Sequence, residues 1–250
     1  MRRLFAVAVF VSTLTSVAFA QSKPEPKFGI TDNSFLVEEA FNQEAGIFQN
    51  IFVMSRSRHG VWDGSFTQEW PIKSMRHQAS FTMPFGFASG NGSAGDLMFN
   101  YRFQLSEEGA GRAAISPRLS VMVPTSAERR WADGIAWQVN LPVSKAVGRV
   151  YVHANVGSTF EKDIATPFFA ASAIVAVSPL FNVMFETFVE SAPGVGGREI
   201  TRTFAPGFRT GWNIGEKQVV VGLAAPVTRG AARDTAVLGY FSYELPFGRK

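Results

Sequence analysis

Three histidines, a glycine cluster and a pair of carboxylates are the places where this sequence could carry out chemistry, and none has the spacing a reaction needs. His59, His77 and His153 stand far apart, with no His-x-x-x-His and no carboxylate at ligand spacing, so the chain spells out no metal site. The absence of cysteine removes disulfides, thiolate nucleophiles and most zinc sites together. Gly194-Val195-Gly196-Gly197 has the glycine density of a phosphate loop, but no Lys-Ser/Thr follows it and no helix pattern opens after it, which fits an outer loop. Ser106-Glu107-Glu108-Gly109 places two carboxylates side by side in what reads as a solvated turn. A hydrolase would need a nucleophile, a base and an orienting group converging on one point, yet His77 and Ser80 fall on opposite faces of one extended strand. The expectation is therefore no catalytic residue, no cofactor, no metal and no enzyme.

What remains is charge in an unusual setting. Asp96, Arg102, Arg118, Glu186, Glu190, Arg209 and Glu244, with the polar Asn100, Gln138 and His153, each occupy the polar side of an alternating run whose other side is large and apolar. Such residues line the inside of a hollow sheet, where they either form a salt-bridged plug or border a water-filled path and set its selectivity. Both outcomes stay open at this point. Mixed signs argue against a strong preference for anions or cations. Tyr151, Phe188 and Tyr240 are expected on the same inner face, where they contact a flat apolar solute or simply pack the lumen.

The elements that position these groups are strands. In Gly95–Leu105, residues Leu97, Phe99, Tyr101, Phe103 and Leu105 share one face of an extended chain, while Asp96, Met98, Asn100, Arg102 and Gln104 share the other. No helical period keeps that sorting. A run of about ten residues, greasy on one side and polar on the other, suits a strand with lipid outside it and water inside. From Glu44 to the chain end, twelve such candidates can be counted, among them Ser65–Pro71, His77–Pro84, Ala113–Val123, Gly134–Ser144, Arg149–Phe160, Phe181–Glu190 and Thr201–Asn213. The links between them are expected to be longer at odd-numbered positions than at even ones, as when short turns lie on the periplasmic side of a barrel and long loops outside. Pro117, Pro142 and Pro206 interrupt strand runs and each removes a ladder donor, so they are expected at rims or bulges.

The bulk numbers agree. The chain opens Met-Arg-Arg, continues through an apolar stretch from Leu4 to Phe19, and reaches Ala18-Phe19-Ala20, the layout of a secretory signal peptide cut after Ala20. Its removal takes Arg2 and Arg3 with it, so the formal net charge falls from +4 to +2, too little for a nucleic-acid partner. The 24 Phe, 5 Trp and 4 Tyr are more aromatic surface than a soluble domain of this size easily hides, whereas a bilayer accepts it on the outside. Residues 21–43 carry Pro24 and Pro26 and no alternation; they read as a periplasmic lead-in, with Phe35–Gln43 either a short amphipathic turn or a segment folded inward.

Glu38–Gly46, Phe66–Pro71, His77–Pro84, Gly95–Leu105 and Arg118–Thr125, taken in order, resemble bacterial outer-membrane transporters of the group named for the meta-pathway of phenol degradation. The resemblance spans most of the chain after residue 20 and implies a pore-like barrel associated with uptake of small, often aromatic, compounds. The last strand, with Gly239, Tyr243 and Leu245, is similar to the signal read by the barrel-assembly machinery, although it runs on through Pro246–Lys250.

The reading that follows is all-β: a closed, antiparallel, up-and-down transmembrane β-barrel of about twelve strands over residues 44–250, monomeric, in the outer membrane of a Gram-negative bacterium. Its partners are outer-membrane lipid and lipopolysaccharide, the assembly machinery and a small solute passed by diffusion. Two other readings stand beside it. One is a closed structural or surface-binding barrel acting through outer loops such as Arg56–Gly64, Pro124–Asp133 (with Arg129, Arg130 and Trp131) and Ser191–Ile200. The other is a soluble β-sandwich with the same strands packed face to face.

Overall fold

The computed structural model describes residues 29–30, 32–126, 134–215 and 217–247. The leader lies outside the described residues, as do Arg129, Arg130 and Trp131. Fifteen strands form among those described. They are β1 (Ile47–Ser57), β2 (Trp62–Ile72), β3 (Ser74–Ala88), β4 (Asn91–Ala94), β5 (Leu97–Phe103), β6 (Ala114–Ile115), β7 (Arg118–Val123) and β8 (Ala136–Val147). The second half of the chain supplies β9 (Val150–Glu161), β10 (Ile164–Ser178), β11 (Phe181–Gly194), β12 (Gly197–Ile214), β13 (Lys217–Ala224), β14 (Val227–Gly230) and β15 (Asp234–Pro246). Every pairing is antiparallel and joins staves adjacent in the chain, and β15 returns to pair with the whole of β1, from Ile47↔Pro246 to Ser57↔Ala236. Three staves are interrupted, as β4 with β5, β6 with β7, and β13 with β14, so the wall is a closed antiparallel barrel of twelve.

Closure is what the backbone demands if the outside is hydrocarbon, since an open edge would leave N–H and C=O groups without partners. The side-chain sorting has the same cause. Phe99, Tyr101, Leu119, Trp137, Val139, Val156, Phe185 and Phe241 are exposed on the outside, while Asn100, Arg102, Ser120, Asn140, His153, Glu186 and Ser242 are buried inside. A sandwich would have met its Phe and Leu residues between two sheets; here they face outward all round.

Prolines fall where the ladder already breaks. Pro142 of β8 lies beside the β6–β7 interruption, its carbonyl accepting from Ser116 N–H at 3.1 Å, and the Pro206 carbonyl accepts from Ala225 N–H at 2.9 Å in the gap between β13 and β14. The expected alternation of loop lengths is not what the chain does. Stretches expected as outer loops are strand instead: β11 and β12 stay paired as far as Gly194↔Gly197, and β3 and β4 as far as Ala88↔Asn91. Projecting hairpins satisfy their own backbone, so residues that look like loop tips by composition remain in the ladder. The long connections are residues 104–113, at the end where Phe247 N–H donates to the Gly46 carbonyl, and 124–135 at the other.

Candidate functional site

The interior is not hollow near the termini. Residues 32–43 run through it without regular structure and touch side chains from the whole circumference. Regular structure is absent because the partners of this backbone are lumen side chains rather than a neighbouring strand.

Its first part is held by the β10–β15 sector. The Asp32 carboxylate accepts from Gln49 Nε2 and Tyr240 Oη, each at 2.5 Å, and from the Ser242 hydroxyl. Burial pushes the Asp32 carboxyl above the ordinary carboxylate value, opposed by those hydroxyls and by the charge of Arg209. Arg209 Nη1 donates to the carbonyls of Asp32 and Asn33 at 2.6 and 2.8 Å. Ser34 meets Ser172 across 3.1 Å, and Gln218 Nε2 donates to the Gly29 carbonyl at 2.5 Å. Glu186, with no exposed surface, accepts three successive backbone N–H groups, from Phe35 at 3.2 Å, Leu36 at 3.0 Å and Val37 at 3.2 Å. Phe35 packs with Tyr240 at a ring separation of 5.0 Å in an apolar cluster that includes Ile30, Ile174, Met184, Val220 and Leu238.

The second part lies against the polar sector. Asn155 holds Glu38 by a reciprocal pair, accepting from its N–H and donating to its carbonyl, both at 2.8 Å. The Glu38 carboxylate takes Arg102 Nη1 and Arg118 Nη1, each at 3.0 Å, and Asn140 Nδ2 at 2.8 Å. Glu39 faces Arg209 at 3.5 Å and His153 at 3.7 Å. Ser144 accepts from Ala40 N–H, and Gln78 accepts from Gln43 N–H at 2.6 Å. Asn33 reaches Glu69 at 3.4 Å. With these contacts eleven of the twelve staves present a polar side chain to residues 32–43, and β13 reaches Gly29, just ahead of them, through Gln218. Two halves of one short peptide, Phe35-Leu36-Val37 and Glu38-Glu39, thus match an apolar and a charged side of the lumen.

Of the residues expected inside, Arg102, His153, Glu186, Arg209 and Tyr240 are buried under the segment, and Arg118 borders it. Tyr240 is engaged with Asp32 and Phe35, and Tyr151 stacks on His153 at 6.1 Å. Asn100 donates to Ser80 at 3.1 Å, and Gln138 bridges Arg118 and Thr159. Glu244 accepts from Gln218 N–H at the terminal end, and Asp96 accepts from Ser126 N–H at the opposite rim. Phe188 and Glu190 lie further along β11, away from the termini, where Phe188 stacks on Phe168 at 5.7 Å. His77 is on the outside, bonded to Tyr101 Oη at 2.6 Å.

Sequence reasoning missed Glu69, although the alternation of Phe66, Gln68 and Trp70 with Thr67 and Glu69 places it inward; Gln78, Asn140, Ser144 and Asn155 fall on the polar faces of their runs but were not singled out as site residues. It assigned no lumen role to Asp32, Glu38 or Glu39, since an inward fold of Phe35–Gln43 stood as one of two readings. The signal available was the acids Asp32, Glu38 and Glu39 ahead of the first strand and the inward arginines Arg102, Arg118 and Arg209.

No protein-family model matches this chain, and no curated protein matches it. Among solved structures it is similar to an outer membrane channel from Pseudomonas putida F1, with a TM-score of 0.59 and 10% identity over 82% of this chain and 98% of that one. It is also similar to the KdgM porin, with a TM-score of 0.53 and 8% identity over 80% of this chain and 99% of that one. At such identities the likeness establishes the barrel fold.

Proposed function

We propose that this protein is a channel of a Gram-negative outer membrane that passes small solutes, and that residues 32–43 close its lumen at the end where the chain termini lie. The observation that carries the reading is the segment's contact with eleven of the twelve staves through polar side chains. A barrel kept only for structure needs no charged interior, and filling it with apolar side chains would avoid the cost of burying ions. Here Arg102, Arg118, Arg209, Glu69 and Glu186 are inside, compensated by a peptide tethered at one end to β1. Displacement of that peptide leaves a polar path, and conduction needs only loose contacts along it. The similar structures, a channel and a porin by name, agree with this role.

The stacked Phe168 and Phe188 toward the other end offer a flat apolar face to a passing ring, which accords with the aromatic compounds implied by the resemblance to phenol meta-pathway transporters. A cleaved leader ending at Ala20, assembly by the barrel machinery and a monomeric state complete the proposal. The competing reading, a closed barrel acting through its outer rim, draws on the number of bonds that hold the segment.

Reconstitution of folded protein into planar bilayers separates them. The channel reading expects discrete current steps and solute flux in proteoliposomes. Folded protein that gives neither overturns it in favour of the closed barrel.

A further inference from the structure

Resting on the channel reading, we infer that Glu38 occupies the place of a solute's carboxylate: the lumen binds small organic carboxylates at Arg102, Arg118 and Asn140, and such solutes enter by replacing Glu38. The three donors belong to the wall. Arg102 and Arg118 are directly opposed across β5 and β7, and Arg118 is opposed to Asn140 across β7 and β8. Two arginines in register on one face repel each other, so this arrangement needs an anion between them. Glu38 supplies one, with both guanidinium contacts at 3.0 Å.

Two further observations show that the site is made for exchange. Arg118 Nε is buried and has no hydrogen-bond partner among the described residues, so a donor remains when Glu38 is in place. The Arg118 side chain also keeps 19% of its surface exposed where that of Arg102 keeps 3%. Arg118 touches Gln138, which leads on to Thr159 in the part of the lumen beyond the segment. A carboxylate arriving from that side meets Arg118 first, then takes Asn140 and Arg102 as Glu38 leaves. Replacing one carboxylate by another keeps the buried guanidinium groups compensated throughout. A neutral solute of the same size leaves Arg118 without an anion and Arg102 with only Glu69, 4.0 Å away, once Glu38 withdraws, and is therefore disfavoured.

The test compares uptake of gluconate with that of sorbitol, which has the same carbon chain without the carboxylate, into proteoliposomes carrying the full chain. The wild type is expected to take up gluconate about tenfold faster, the scale of one charge-assisted hydrogen bond. In Arg118→Gln the ratio falls to about one. Equal rates in the wild type, or an unchanged ratio in folded Arg118→Gln, overturn the inference while leaving the channel standing. Should Arg118→Gln fail to fold, Glu38→Gln decides: loss of the competing carboxylate lowers the half-saturating gluconate concentration severalfold, and an unchanged concentration overturns the inference. Uptake of neither solute overturns the channel reading itself.

Discussion

Arg102 donates to Glu38 Oε1 at 3.0 Å from the same guanidinium that reaches the carbonyls of Glu39 at 2.9 Å and Phe41 at 2.5 Å and the Asn42 side chain at 2.9 Å. Four of its five N–H donors close around one turn of the inward segment. Replacing it by Met leaves two carbonyls and an amide without donors and weakens the compensation of Glu38, a loss of about 3–5 kcal/mol. The expected outcome for Arg102→Met is release of residues 32–43, seen as new protease cleavage within them while the barrel keeps its heat-modifiable mobility. Arg102→Lys does not restore protection, because an ammonium cannot span acceptors that a planar fork reaches.

Glu186 anchors the other half through three consecutive amides. In Glu186→Gln one acceptor oxygen becomes a donor facing N–H groups, which costs about 1–3 kcal/mol. Amide hydrogen exchange at Phe35, Leu36 and Val37 is expected to accelerate by about tenfold or more, against little change in the β-ladder. Equal acceleration throughout the barrel would mean that Glu186 supports the wall and not the segment.

Space, too, holds the segment. A Cβ on Gly222 would stand 2.3 Å from Phe35 Cζ, and one on Gly207 3.1 Å from Phe35 Cε2, so two glycines on adjacent staves make the room that Phe35 fills. Gly222→Val is expected to expel Phe35 and to raise the open fraction of single-channel records, with the barrel still formed because valine suits a strand. The double variant Gly222→Val, Phe35→Ala should bring the open fraction back toward the wild-type value, since the clash is gone.

The wall was legible in the sequence because each strand reports its own environment. Leu97, Phe99 and Tyr101 against Met98, Asn100 and Arg102 sort in a period of two whatever their neighbours are, and the structure places them outside and inside accordingly. Strand ends were less so, since a projecting hairpin such as Ser191–Ile200 has the composition of a loop and the hydrogen bonds of a ladder. The segment was not legible as a docked element. Its conformation is dictated by residues as much as 210 positions away, as in Asp32 with Ser242, and a stretch with no internal period gives no sign of where its partners are. The lumen also proved two-sided: beyond the aromatic residues expected inside, Ile174, Met184, Val220 and Leu238 face inward and pack around Phe35 of the segment.

The two faces of one strand should respond oppositely to the same charge. Val156 on β9 is exposed on the outside between Leu141 and Phe169, while Thr159 on the same strand faces inward beside Gln138. Arginine at Val156 must sit in hydrocarbon, so Val156→Arg is expected to lower the unfolding free energy in lipid by about 2–4 kcal/mol, measured by urea titration in bilayers. Arginine at Thr159 stays in the lumen, at the cost of one hydrogen bond of about 1 kcal/mol, and acts instead on ion preference by adding a cation near Arg118. The reversal potential in a salt gradient should move toward anion selectivity in Thr159→Arg and stay at the wild-type value in Val156→Arg. The opposite assignment, with stability lost at Thr159 and selectivity moved at Val156, would invert the inside and outside of the barrel.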